Sequence, residues 1–184
     1  MPGIGGLALV AALLFCTVLN ARLSGSPILT PTAASAQTPT GRQGPDLAGP
    51  VRVVDADTLD LGGARIRLWG VDAPEAAQTC DRDGELWRCG AAAARALGGF
   101  IADRPVDCER VGRPDRNGRI VARCAVAGQD LGAWLVTEGW ALDYARYSGG
   151  RYGTEEAAAR SSRRGLWSSR FERPWDWRRA RAAN

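Results

Sequence analysis

Between residues 51 and 71 apolar and polar positions alternate with a period near two. VRVVDADTLDL (51–61) has strand character, Gly62-Gly63 signals a hairpin, and ARIRLWGV (64–71) predicts a returning strand. In that strand Ile66 and Leu68 share one face and Arg65, Arg67 and Trp69 the other, so Arg67 is expected to point away from the core. The period then lengthens. In GAAAARALGGFIA (90–102), Ala94, Leu97 and Phe100 or Ile101 recur at helical spacing and predict a first helix despite the glycines. Residues 106–111 and 120–126 predict a second hairpin around the turn PDRNG (114–118). LGAWLVTEGW (131–140) sets Leu131, Trp134 and Leu135 on one face of a second helix. A third is expected after Thr154 as N-cap, with Glu155 and Glu156 in its first turn and Arg163 and Arg164 in its last, matching the helix dipole. The order implies an α+β domain: a small five-stranded β-barrel with three packed helices.

The amino-terminal region concerns address. Residues 4–19 carry no charge, and Ala34-Ser35-Ala36 before Gln37 is an A-x-A cleavage pattern. The run is short for a span, which needs about 20 apolar residues. Residues 1–36 are therefore expected to be a signal peptide, with an amino-terminal membrane anchor as the alternative, and the protein to be extracytoplasmic, secreted or periplasmic. Residues 37–50, rich in Pro, Gly and polar side chains, are expected to be a linker to a domain at 51–167 and a basic, Trp-containing tail at 168–184. Four cysteines follow the signal, Cys80, Cys89, Cys108 and Cys124, an even number that suits two disulfides in an exported chain. Three connectivities are possible. Cys108 and Cys124 flank the second hairpin's turn equidistantly and should face each other across it, leaving Cys80 and Cys89 to close a small loop. A four-cysteine zinc site is disfavoured because no C-x2-C spacing occurs.

Composition narrows the chemistry. All 24 cationic side chains are Arg, and the chain has no Lys and no His. Triads, thiol hydrolases and His-ligated zinc sites that need an imidazole are excluded, so catalysis must rest on carboxylates, guanidinium groups, a metal, Tyr or Cys. The net charge of +4 is unevenly spread: residues 160–184 hold eight Arg against two acids, whereas residues 37–159 hold 15 Arg against 18 acids. A slightly acidic body thus carries a basic tail, suited to a polyanion or simply to solvent.

Three segments concentrate reactive groups: DADT (55–58), DAPE (72–75) and DRNGR (115–119). Asp57, on one arm of the first hairpin, and Asp72, just past the other, would bring two hard oxygen ligands together for calcium or magnesium. Two adjacent carboxylates repel unless a cation neutralises them. Arg67 and Arg119 offer planar forks suited to a phosphoryl transition state, and Glu75 can orient or deprotonate an attacking water. Each segment alone is equally well an exposed turn. Their order and spacing carry the argument.

VVDADTL, IRLWGVDAPE, DRNGR, LVTEGWALDY and GLW, in that order, resemble the staphylococcal nuclease family over residues 51 to 167. The resemblance implies an OB-fold barrel with three helices and calcium-dependent hydrolysis of DNA and RNA, unpaired strands preferred, leaving 3′-phosphate products. It implies Asp57 and Asp72 as side-chain ligands of Ca2+ with the Ala73 carbonyl beside them, and Arg67, Glu75 and Arg119 as catalytic. Tyr144, Tyr147 and Arg116 would bind substrate. Three positions depart from the family pattern: Ala56 replaces a Gly, Ala73 a Thr, and Asn117 an aromatic that would lie near the substrate phosphate. Trp175 and Trp177 in the tail suit either strand binding or packing back on the barrel. The alternative functions are a non-catalytic OB-fold nucleic-acid-binding module and an envelope interaction module; no obligate protein partner is expected.

Overall fold

The computed structural model describes residues 47–183. The signal or anchor at 1–36 and most of the linker lie outside them; among the described residues no helix is long and apolar enough to cross a membrane. The elements are β1 (Leu47–Gly49), β2 (Arg52–Asp55), β3 (Thr58–Leu61), β4 (Ala64–Leu68), β5 (Val71–Asp72), β6 (Cys80–Arg82), β7 (Glu85–Trp87), α1 (Cys89–Ile101), β8 (Val106–Arg110), β9 (Ile120–Val126), β10 (Gln129–Asp130), α2 (Leu131–Thr137), β11 (Leu142–Asp143), α3 (Ala145–Ser148), α4 (Gly153–Ser161), a 3-10 turn (Gly165–Ser168) and α5 (Pro174–Ala182).

The α+β class holds, with a different inventory from the one expected. The main sheet has seven strands rather than five, ordered β1-β8-β9-β4-β3-β2 with β10 on β9; β5 pairs with β11 and β6 with β7. The described residues form five α-helices rather than three. Residues 51–61 are two strands, not one. They turn at Ala56-Asp57 because Asp55 to Thr58 is turn chemistry, and a register shift lies between Val53 and Asp55. Asp57 therefore sits in a turn, not on a hairpin arm. Leu47–Gly49, expected in the linker, form an edge strand on β8.

Alternation in β4 buries Ile66 and Leu68 and leaves Arg67 on the other face. β8 and β9 pair with Cys108 opposite Cys124, and both expected disulfides, Cys80–Cys89 and Cys108–Cys124, are present. Helix α1 packs through Cys89, Ala93, Leu97 and Ile101, four residues apart and all buried, one position off the expected Ala94. Burying Leu97 and Ile101 contributes about 1.5–3 kcal/mol each. Asp130 caps α2, accepting from the Ala133 N–H at 3.0 Å. Thr154 does not cap α4: it lies within the first turn, the cap position is Tyr152, and the helix ends at Ser161. Arg160, not Arg163 or Arg164, is its last-turn cation, because Arg163 is already in the left-handed region at φ 51°.

Leu59, Ile66, Leu68, Leu97, Leu131 and Leu135 centre the main core. A smaller core, Cys80, Cys89, Leu142 and Leu166 with Trp87, Trp167, Phe171 and Trp175 against it, ties the first disulfide loop to the chain's end.

Candidate active site

Three strand pairings bring the motif residues together. β3 and β4 place Thr58 directly across from Arg67. Asp57, one residue earlier, is thus within reach of the same guanidinium. β4 also runs parallel to β9, with Ile66 beside Ile120, so Arg119 enters just before β9 at the level of this pair. β5 ends in Asp72, which pairs with Leu142 of β11, and the Tyr144 N–H donates to the Gly70 carbonyl at 2.9 Å. That ladder carries the tyrosines to the site.

Arg67 bridges the two aspartates, with Nη1 3.1 Å from Asp57 Oδ2 and Nη2 2.7 Å from Asp72 Oδ1. Asp57 Oδ2 also accepts the Ala73 N–H at 3.0 Å, and its Oδ1 accepts the Thr58 hydroxyl at 3.0 Å. Arg119 donates through Nη1 to Thr58 Oγ1 at 3.2 Å and through Nε to Asp115 Oδ2 at 2.8 Å. Asp115 Oδ1 accepts from the backbone N–H groups of Asn117 and Arg119, folding the DRNGR turn around its first residue. Burial opposes ionisation of Asp115, but these bonds outweigh it and hold the carboxyl below its ordinary value.

The unexpected member is Arg178 of α5. Its Nη2 lies 2.8 Å from Asp72 Oδ2, and its Nη1 donates to Asp72 Oδ1 at 3.1 Å and to Glu75 Oε1 at 2.9 Å. Asp72 is fully buried. Burial pushes its carboxyl up to about 6, the Arg178 hydrogen bond pulling down and the Asp57 charge pushing up. Arg178 is raised as well, for a different reason: although burial disfavours its charge, the bonds to Asp72 and Glu75 hold it above the usual guanidinium value. Pairing favours both charged forms, so the upward push on Asp72 is burial outrunning pairing. Asp55, which accepts the Ala76 N–H at 3.1 Å, is also raised, first by burial and then by the charges of Asp57 and Glu75.

A cleft of about 990 Å³ opens over this arrangement. Asp57, Arg67, Glu75, Arg116, Arg119, Tyr144 and Tyr147 line it, together with Trp175, Arg178 and Arg179 from α5. Asp72 and Ala73 lie buried beneath, reached through Arg67 and Asp57. Tyr144 stacks parallel on Trp175 (centroids 5.2 Å apart, 3° between planes) and edge-on to Tyr147. Among the described residues no group of three or more His, Cys, Asp or Glu could hold a metal. An ion here would take the two aspartate carboxylates and complete its shell from backbone and water. Hard oxygens suit calcium in that way, and the shared guanidinium brings the carboxylates near a common cation.

The family described as "Staphylococcal nuclease homologue" matches residues 65–169, more than half of the chain. The chain belongs to the staphylococcal nuclease family. Within it, the chain is 40% identical over 129 residues to "Succinoglycan biosynthesis protein ExoI" of Rhizobium meliloti (strain 1021), a match covering 68% of this chain and 67% of that protein. It is 31% identical over 117 residues to "Probable staphylococcal-like nuclease CAN1" of Oryza sativa subsp. japonica, covering 62% of this chain and 32% of the rice protein. As a staphylococcal nuclease homologue the domain has the OB-fold of that family, here as a curled sheet with helices. The family match stops before α5, so Arg178 and Trp175 enter the site from beyond it.

Thr58 and Asp115 lie inside the quoted motifs, Thr58 directly after Asp57 and Asp115 four residues before Arg119, and only the fold shows that both hold Arg119. Arg178 has no local signal, being one of eight Arg in residues 160–184.

Proposed function

We propose that this family member is an exported nuclease that hydrolyses single-stranded DNA and RNA, with calcium as cofactor, leaving 3′-phosphate ends. The observation that carries the reading is that Arg67, Glu75 and Arg119 face one cleft above the Asp57–Asp72 pair. Asp57, Asp72 and the Ala73 carbonyl would hold calcium, which when bound supplies positive charge beside the scissile phosphate. Glu75 accepts the proton of the attacking water on a carboxylate oxygen. Arg67 and Arg119 donate forked hydrogen bonds to the phosphate oxygens as phosphorus becomes five-coordinate, and keep their charge throughout; the P–5′-O bond then breaks, and the departing 5′-oxygen takes a proton from water to leave as a 5′-hydroxyl. Thr58 and Asp115 hold Arg119 from two sides. Tyr144 and Tyr147 stack on bases, about 1–3 kcal/mol per base, and Arg116 takes a backbone phosphate. Export is supported by the two disulfides, which persist in oxidising compartments, and by the apolar amino-terminal run.

A second reading, a non-catalytic nucleic-acid-binding or envelope interaction module, draws on the biosynthetic name of one relative and on Arg178, which occupies oxygens of both Asp72 and Glu75. Hydrolysis of single-stranded DNA with calcium, with chelator, and in Glu75→Gln and Arg119→Ala separates the two. The nuclease reading expects chelation to abolish turnover and either substitution to lower it at least about 100-fold, roughly 2.7 kcal/mol of barrier. A near-normal rate in Arg119→Ala would overturn the mechanism, and strand binding without turnover under any divalent cation would favour the module.

A further inference from the structure

The segment leading into α5 is pinned twice. Arg170 and Asp81 exchange backbone hydrogen bonds of 2.7 and 2.8 Å, and the buried Gln78 side chain donates to the Glu172 carbonyl at 2.7 Å. Asp81 lies inside the loop closed by Cys80–Cys89, and Gln78 lies just before it. Pro174 then starts a nine-residue helix. Trp175 and Arg178, three residues apart and so on one face, reach the site. Each takes a place the proposed reaction needs. Trp175 covers the Tyr144 ring with a parallel stack, and Arg178 takes both oxygens of Asp72 and one of Glu75.

We propose that α5 is an intramolecular plug, in which Arg178 stands in for the divalent cation and Trp175 for a nucleobase, so that calcium and an unpaired strand bind as α5 withdraws. The proposal rests on the nuclease reading above. With Arg178 on both Asp72 oxygens and Arg67 already on Oδ1, two guanidinium groups fill the carboxylate's acceptor positions, and their charges repel a further cation at such range. Withdrawal is within reach energetically. Arg178 is 36% exposed, so solvent reaches its side of the ion pairs, and a divalent cation would take over the charge of the fully buried Asp72 as Arg178 leaves, while the anchors at 170–172 keep the released segment tethered. Released α5 would lose its helix, since nine residues are too few for a stable isolated helix. Residues 173–182 carry four Arg against Asp176, so a polyanionic strand offers Arg178 phosphate oxygens in exchange for carboxylates. Substrate and calcium then favour the same open state, and by reciprocity each strengthens binding of the other.

The test is calorimetric titration of the intact protein with calcium, without nucleic acid, together with amide hydrogen exchange over residues 174–182. Arg178→Ala, the charge-neutral change Trp175→Ala, and a chain ending at Glu172 should each bind calcium at least tenfold more tightly. Arg181→Ala removes the same charge from an exposed position of the same helix and should stay within twofold. Saturating calcium should accelerate exchange over 174–182 in the intact protein. Equal calcium affinity in the intact, Trp175→Ala and shortened proteins, or unchanged exchange, overturns the plug even while single-stranded DNA is cut. Intact, Arg178→Ala and Trp175→Ala proteins that neither bind calcium nor cut DNA overturn the nuclease reading, and the plug with it.

Discussion

Gly90 is where helix propensity and local geometry disagree in sign. It is the second residue of α1, and its backbone is not in the left-handed region, so propensity alone predicts that Gly90→Ala stabilises by up to about 1 kcal/mol. An added Cβ would lie 1.7 Å from the Glu75 carbonyl oxygen and 2.6 Å from its carbon. Contacts under 3.0 Å are not tolerated, so one segment must move by at least about 1.3 Å, the difference of 3.0 and 1.7. α1 is the harder to move, with Cys89, Ala93 and Leu97 fully buried and Cys89 bridged to Cys80. The segment of half-buried Glu75 and exposed Ala76 is therefore the one that gives way. It carries the proposed base, and a misplacement on the order of 1 Å costs about 100-fold in rate. We expect Gly90→Ala to lose about 1–3 kcal/mol in urea unfolding, and turnover on single-stranded DNA to fall about 100-fold with little change in KM, because Arg116 and Tyr144 stand on other elements. Gly98→Ala is the control, since its Cβ would meet nothing within 4 Å. A Gly90→Ala protein as stable and as active as the parent would refute the claim that Gly90 sets the position of Glu75.

Asp115 gives a pH signature. Its folded value is depressed below the ordinary 3.8, so its contribution is present above 3.8 and lost as pH falls through the lower folded value. Urea midpoints of Asp115→Asn should trail the parent by a constant amount from pH 5 to 8, up to about 1 kcal/mol for a partly exposed pair, and the gap should close below about pH 3.8; a gap that persists to pH 2.5 would show that the charge is not what matters. Replacing Cys80 and Cys89 together by Ser should cost about 2–3 kcal/mol and raise hydrogen exchange over residues 75–90. Unchanged exchange there would mean that the bridge does not hold the Glu75 loop.

What could be read from the chain was what repeats at short range. The period of two in ARIRL separated Ile66 and Leu68 from Arg67, and symmetry about the DRNGR turn fixed the Cys108–Cys124 register. Short-range cues failed where one residue serves two elements. In 51–61 the alternation runs through Asp55 to Thr58, so it looks like one strand, but two aspartates in four residues favour a turn, and hydrogen bonds to Ala76 and Ala73 hold them there. Thr154 looks like a cap because the acids follow it, yet the helix begins one residue before it, at Gly153.

The tail is the deeper case. The +6 of residues 160–184 is legible, but a charge sum treats their eight Arg as equivalent, and the fold does not. Arg170 pairs with Asp81, Arg179 with Asp176, and Arg178 with Asp72 and Glu75, 106 and 103 positions away in sequence. No local pattern distinguishes Arg178 from Arg179. What selects Arg178 is its place three residues after Trp175, on the face that Tyr144 holds by stacking. Because both contacts sit on one helical face, loosening either side chain weakens the other's hold. That coupling is why the charge-neutral Trp175→Ala substitution should change the affinity for calcium, an ion that the Trp175 ring itself never needs to touch.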